Sequence, residues 1–130
     1  MLKEELLPGA VFNRIYTVTN DWTAISLGTG NVPCLSSAAL VIAVENLAYQ
    51  NIQKTLEDGF TSVGIKIEVT HLFPSAIESE FQVELHLIRL ENNRTDFNIT
   101  VTSGERILAT GFHRRAIVNH ESFLGKISPR

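Results

Sequence analysis

The run SSAALVIAVENLAYQN, which begins at Ser36, carries a single charge, Glu45, in sixteen residues. A helix with this sequence is apolar around nearly its whole circumference, so it belongs inside a fold and not on its surface. Ser36 or Ser37 supplies an N-cap, and Asp58-Gly59 supplies a stop, with Gly59 suited to the left-handed position beyond a helix end. The stretch between them predicts one helix of about twenty residues, and no other segment predicts a long one. Whatever surrounds this helix has to cover it on several sides. It also has to accommodate a carboxylate that is costly to bury unless it is paired.

The rest of the chain reads as strands. FNRIYTVTND is rich in β-branched and aromatic residues and ends at Asn20-Asp21. In SVGIKIEVTHL, Val63, Ile65, Ile67 and Val69 alternate with polar or small residues, the period of a half-buried antiparallel strand, and Pro74 closes it. Phe81, Val83, Leu85 and Leu87 share a face of the next strand, and the ENNR cluster turns the chain. Phe97, Ile99 and Val101 line the strand after that, Ser103-Gly104 turns again, and ERILATGFHRRAIV completes the set. The expected order is strand, helix, then four strands in a meander, in a single α+β domain over residues 1–130. Five short strands around a helix apolar on all sides leave apolar surface uncovered, which predicts a homodimer and leaves open whether dimers pair into tetramers.

Bulk properties remove several function classes. A net charge of −3, with no clustering of basic and aromatic residues, gives no nucleic-acid footprint. Cys34 is the one cysteine, which excludes an intrachain disulfide and a cysteine-built metal site; no metal is expected. MLKEELLPGA is too charged for a signal peptide, and no apolar run is long enough to span a membrane. The expected setting is the cytoplasm, with no membrane partner.

Strand parity draws the candidate chemistry together. His71 shares parity with Val63, Ile65, Ile67 and Val69, so with the alternation held to the strand end its imidazole points toward the helix that carries Glu45. A carboxylate and an imidazole aimed into one layer form an acid/base pair. Ser37 adds a hydroxyl at the helix start, where free N–H groups and the positive dipole end can hold an oxyanion. Each residue also has an ordinary use: Ser37 as a cap, His71 as a structural histidine, Glu45 as a carboxylate turned to solvent. Arg114 and Arg115 fall on opposite faces of the last strand, where a structural role is the commoner use and a phosphate contact the functional one. Cys34 reads as a small apolar residue, and the GTG at Gly28 lacks the strand and helix spacing of a phosphate cradle.

Three segments, SSAALVIAVENLA, TSVGIKIEVTHLFPS and GFHRRAIVNHESF, resemble the hotdog-fold thioesterases of the fluoroacetyl-CoA thioesterase-like group, over about Val32 to Phe123. The resemblance implies a curved five-stranded antiparallel sheet wrapped around one long central helix, in a dimer with its sites at the interface. It implies that Ser37 occupies the place of the family's helix-start hydroxyl, usually threonine, and that Glu45 and His71 are the catalytic carboxylate and imidazole. Gly64 matches the family's strand glycine, which leaves room for the acyl thioester, and Arg114 and Arg115 are carried as substrate-binding candidates. The substrate is then an acyl-CoA, with coenzyme A as part of it and no separate cofactor. The loop GTGNVP lacks an aromatic residue to lid an acyl group as small as fluoroacetyl. The expected activity is hydrolysis of a small or medium acyl-CoA, with Glu45 as general base or nucleophile. The alternatives are a hotdog hydratase or dehydratase, and a dimer that binds an acyl-CoA or other apolar ligand without turnover.

Overall fold

In the computed structural model, which describes residues 1–127, five strands form one antiparallel sheet in the order β1-β3-β4-β5-β2. They are β1 (Val11–Thr17), β2 (Phe60–His71), β3 (Glu80–Glu91), β4 (Arg94–Ser103) and β5 (Arg106–Asn119). A short helix α1 (Ala24–Leu27) and the long helix α2 (Ser37–Gln53) lie between β1 and β2, and α3 (His120–Lys126) follows β5. The inner face of the sheet presents Phe81, Val83, Leu85, Leu87, Phe97, Ile99 and Val101, all buried. They pack with Ala39, Leu40, Ala43, Val44, Leu47, Ala48 and Ile52 of α2 in a single core. Fully burying an aliphatic or aromatic side chain of this kind contributes about 1.5–3 kcal/mol, so this layer dominates stability.

Local chemistry accounts for the turns. Asn92 and Asn93 both take positive φ, the conformation of a two-residue hairpin turn, and join β3 to β4. Ser36, with extended backbone, is the N-cap of α2: its Oγ accepts from the Ala38 N–H at 3.1 Å. The capping role therefore falls to Ser36 and leaves the Ser37 hydroxyl free.

Three expectations are corrected. Helix α2 ends at Gln53, short of Asp58-Gly59, because the Thr55 hydroxyl bonds back to the Ile52 carbonyl and the chain turns out to meet Lys3, whose N–H reaches the Thr55 carbonyl at 2.7 Å. Gly59, at φ 90°, starts the turn into β2 instead. Second, only β3, β4 and β5 form a meander; β2 crosses to the far edge and pairs with β5. Third, the ladder of β2 slips between Gly64 and Lys66 around Ile65, a bulge that reverses strand parity. Gly64 lies opposite Arg115 while Lys66 lies opposite Arg114, so Ser62 and Gly64 face the helix before the bulge and Ile67, Val69 and His71 after it. Val63 does not share their face.

Helix α2 is not wrapped completely. Ile42 and Tyr49 are 48% and 43% exposed, and Glu45 lies between them on the same stripe. This stripe runs beside the open edge of the sheet at β2. No helix of the described residues is long and apolar enough to cross a membrane.

Candidate active site

At the start of α2 the Ser37 hydroxyl lies 2.8 Å from Nδ1 of His71, at the end of β2. The bond exists because Ser36 has taken over the capping. The Ser36 carbonyl also accepts from the N–H groups of Ala39 and Leu40, so these first-turn bonds leave the N–H of Ser37 unengaged. On the other side of the imidazole, Nε2 of His71 is buried with no partner among the described residues. Whichever nitrogen carries the proton, a buried polar atom is left unsatisfied, at a cost of about 1–3 kcal/mol. The unpartnered atom lies on the far side of the imidazole from the Ser37 hydroxyl, at the start of α2.

Glu45 occupies a second cluster, farther along α2. Its Oε2 lies 3.5 Å from Nη1 of Arg115, and its side chain is 43% exposed. Arg115 is itself buried and is clamped by Ser62, whose Oγ accepts from Nε at 3.0 Å and whose carbonyl accepts from Nη2 at 3.1 Å. Burial pushes the Arg115 guanidinium below its usual range and Glu45 pulls it back up; it stays charged, and Glu45 is its counter-ion. His113 lines the same pocket. Its Nδ1–H donates to the Lys66 carbonyl at 2.9 Å, which leaves Nε2 to accept from Arg115 at 3.3 Å.

Gly64 is what gives Glu45 its place. A Cβ at that position would stand 2.7 Å from Glu45 Oε2. The obstacle is the end of a flexible side chain, so Gly64→Ala is expected to fold with nearly unchanged thermal stability while it displaces the carboxylate. Catalytic efficiency should fall by about a hundredfold, since angstrom-scale misplacement of a reacting group costs that much. Equal activity of wild type and Gly64→Ala would detach Glu45 from the chemistry.

Burial holds the His113 imidazole below its ordinary value of 6.5; the Lys66 carbonyl and Glu45 oppose this, Arg115 adds to it, and the net direction is down. In the unfolded chain the same group takes up a proton near 6.5. Its contribution to stability is therefore complete above about pH 6.5 and is lost as pH falls through the lower folded value. The thermal midpoint is expected to drop more steeply on acidification in the wild type than in His113→Gln. Parallel pH profiles for the two proteins would contradict this.

The structure thus brings the sequence candidates together in two groups. His71 pairs with Ser37, not with Glu45, and Glu45 pairs with Arg115 across Gly64. Eight residues separate Ser37 from Glu45, about 12 Å along a helix axis. Arg114 joins neither group. It lies on the outer face of β5, where Nε and Nη2 donate to the two carboxylate oxygens of Asp96 at 2.6 and 3.0 Å. Ser62 and His113 were not singled out from the sequence. The signal for His113 was available, since it shares the inward parity of Arg115; the role of Ser62 depends on the bulge. Among the described residues, no group of three or more His, Cys, Asp or Glu side chains converges on a point that could hold a metal ion. Beside Ser37 and His71 opens a cavity of about 540 Å³, with the partly exposed Cys34 in its wall.

A curved five-stranded antiparallel sheet closed on one long helix is the hotdog architecture, and here Ser37 and Glu45 lie on that helix with His71 at the end of β2 beside it. Residues 18–121 match the family model of FlK, the fluoroacetyl-CoA-specific thioesterase. The chain belongs to this family of thioesterases. Among solved structures, the fluoroacetyl-CoA thioesterase FlK superposes with a TM-score of 0.88 at 22% identity, over 97% of this chain and 100% of that one. A hot-dog-like protein from Thermanaerovibrio acidaminovorans gives 0.83 at 22%, over 95% and 94%. A thioesterase superfamily member from Thermus thermophilus gives 0.85 at 17%, over 94% and 90%. At these identities the superpositions speak for the fold. Comparison with curated protein sequences gives no match.

Proposed function

We propose that the protein hydrolyses acyl-CoA thioesters at a site shared by two copies of the chain. The observation that carries this reading is the distance along α2 between the Ser37–His71 pair and Glu45. A reacting carbonyl carbon needs its attacking atom at about 3–3.5 Å, and its oxygen needs donors at a similar distance. Within this chain the Glu45 carboxylate is held by Arg115 beside Gly64, two turns of α2 from the Ser37–His71 pair, so the two groups belong to separate clusters. A two-fold axis that sets two α2 helices antiparallel brings the Glu45 region of one subunit to the Ser37 end of the other. The exposed stripe of Ile42 and Tyr49, the exposed Ile65 and the open edge of β2 are the surfaces such pairing would cover.

In this arrangement the thioester oxygen sits at the N-terminus of α2, held by the Ser37 N–H and the Ser37–His71 pair. Glu45 of the facing subunit delivers the attack, either by taking a proton from water as its oxygen bonds to the carbonyl carbon, or by bonding to that carbon itself. The tetrahedral centre collapses, the C–S bond breaks, and coenzyme A leaves as the thiol after protonation; in the second route water then opens the acyl anhydride. Arg115 holds the Glu45 carboxylate in position, and Gly64 leaves it room. Arg114, turned outward onto Asp96, lies outside this scheme.

Purified protein incubated with a panel of acyl-CoAs and a thiol-detecting reagent tests the reading. Thiol release above the uncatalysed rate is expected. Enoyl interconversion without thiol release would assign a hydratase, and saturable binding without either would assign a non-catalytic binding dimer.

A further inference from the structure

The cavity beside the Ser37–His71 pair carries an inference about the acyl group, and it rests on the thioesterase reading. The loop before α2 turns back on α1 through Gly28, the left-handed cap of that helix, and Gly30, where even a Cβ would lie only 3.4 Å from the Ala24 Cβ. The loop brings Thr29, Asn31 and Val32 to the space next to the serine and histidine, and no aromatic side chain. The apolar part of its lining is Ala24, Val32, Cys34, Leu35, Leu72 and Phe73. The Arg106 guanidinium sits 4.5 Å from the Phe73 ring centre and fixes that wall. No Lys, Arg, Asp or Glu is among the cavity's described lining residues.

We propose that this cavity is the acyl pocket and that it selects uncharged aliphatic acyl groups of medium length, hexanoyl to octanoyl, over acetyl and fluoroacetyl. Size and chemistry both bear on this. In the single chain, before a facing subunit covers part of it, the cavity measures about 540 Å³, room for more than a two-carbon acyl group at about 30 Å³ for each group of water size. Each further methylene buried against the apolar wall favours the longer acyl by roughly fourfold. An acyl chain ending in a carboxylate or an ammonium would meet no opposite charge there and is selected against.

Two measurements on the intact protein test the inference. The first is kcat/KM across acetyl-, fluoroacetyl-, butanoyl-, hexanoyl-, octanoyl- and succinyl-CoA. The second is calorimetric affinity for two thioether analogues that cannot be hydrolysed, S-ethyl- and S-octyl-coenzyme A. The wild type is expected to prefer hexanoyl or octanoyl over acetyl by about tenfold or more and to bind the octyl analogue more tightly than the ethyl by a similar factor. Ala24→Leu, which extends a side chain into the cavity, should erase both preferences, lowering kcat/KM for octanoyl-CoA and affinity for the octyl analogue far more than the corresponding values for acetyl and ethyl. Val32→Trp, on the exposed rim, provides a second filling variant should Ala24→Leu fold poorly. A wild type that favours acetyl or fluoroacetyl, turns over succinyl-CoA as well as hexanoyl-CoA, or binds the two analogues equally overturns the inference. A strong octyl preference with no thiol release from any thioester would uphold the pocket and overturn the hydrolase reading.

Discussion

Replacing Glu45 with glutamine is expected to lower kcat by between about a hundredfold and about ten-thousandfold, the range over which general-base groups act. Glutamine keeps the length and shape of the side chain and an oxygen that can still accept from Arg115 Nη1. The buried guanidinium loses its counter-ion and keeps its two contacts to Ser62. What is lost is the ability to take a proton or attack a carbonyl. The expected signature is a large fall in turnover in a protein that still folds, with a thermal midpoint lowered by the loss of the ion pair and affinity for a thioether analogue nearly unchanged. Full activity in Glu45→Gln would remove the carboxylate from the reaction.

His71→Ala is expected to cost about a hundredfold in kcat or more, since it takes away the partner of the Ser37 hydroxyl and any proton the imidazole handles. A purely structural histidine would behave differently. Its Nε2 is already buried without a partner, so truncation relieves one unsatisfied atom even as it removes packing, and stability should change little. Ser37→Ala should cost less in turnover than His71→Ala, because the Ser37 N–H remains, and it should not cost the helix its cap, which Ser36 provides. Substantial unfolding of His71→Ala with normal activity of the remaining folded fraction would assign His71 to the architecture alone.

The inward faces of β3 and β4, the buried helix and the inward turn of His71 could all be read from residue type and period, because each depends on local alternation and burial. The partner of β2 could not. The segment from Leu72 to Ser79 carries no sign of a crossover, and only the three-dimensional ladder with β5 shows that β2 lies at the far edge. The bulge at Ile65 was hidden for a related reason: strict alternation of Val63, Ile65, Ile67 and Val69 is the pattern of an uninterrupted strand, and one extra residue in the ladder leaves no trace in it. That bulge decides the site, since it turns Gly64 toward Glu45 and sets Ser62 beneath Arg115. The identity of the cap was a choice between adjacent serines that composition does not make. The expected Glu45–His71 pair is not made within one chain, because the imidazole at the end of β2 meets Ser37, two turns of α2 from Glu45, and Glu45 meets Arg115.

The sharing of the site between subunits is tested most directly by mixing two inactive proteins, Glu45→Gln and His71→Ala, after dissociation and reassociation. In a shared site, each mixed dimer carries one intact set of groups, with Ser37 and His71 from the Glu45→Gln subunit and Glu45 from the His71→Ala subunit. Random pairing makes about half of the dimers mixed, so the mixture is expected to recover about a quarter of wild-type activity, with each parent alone remaining near its background. If each chain holds a complete site of its own, every subunit in the mixture stays defective and no activity returns.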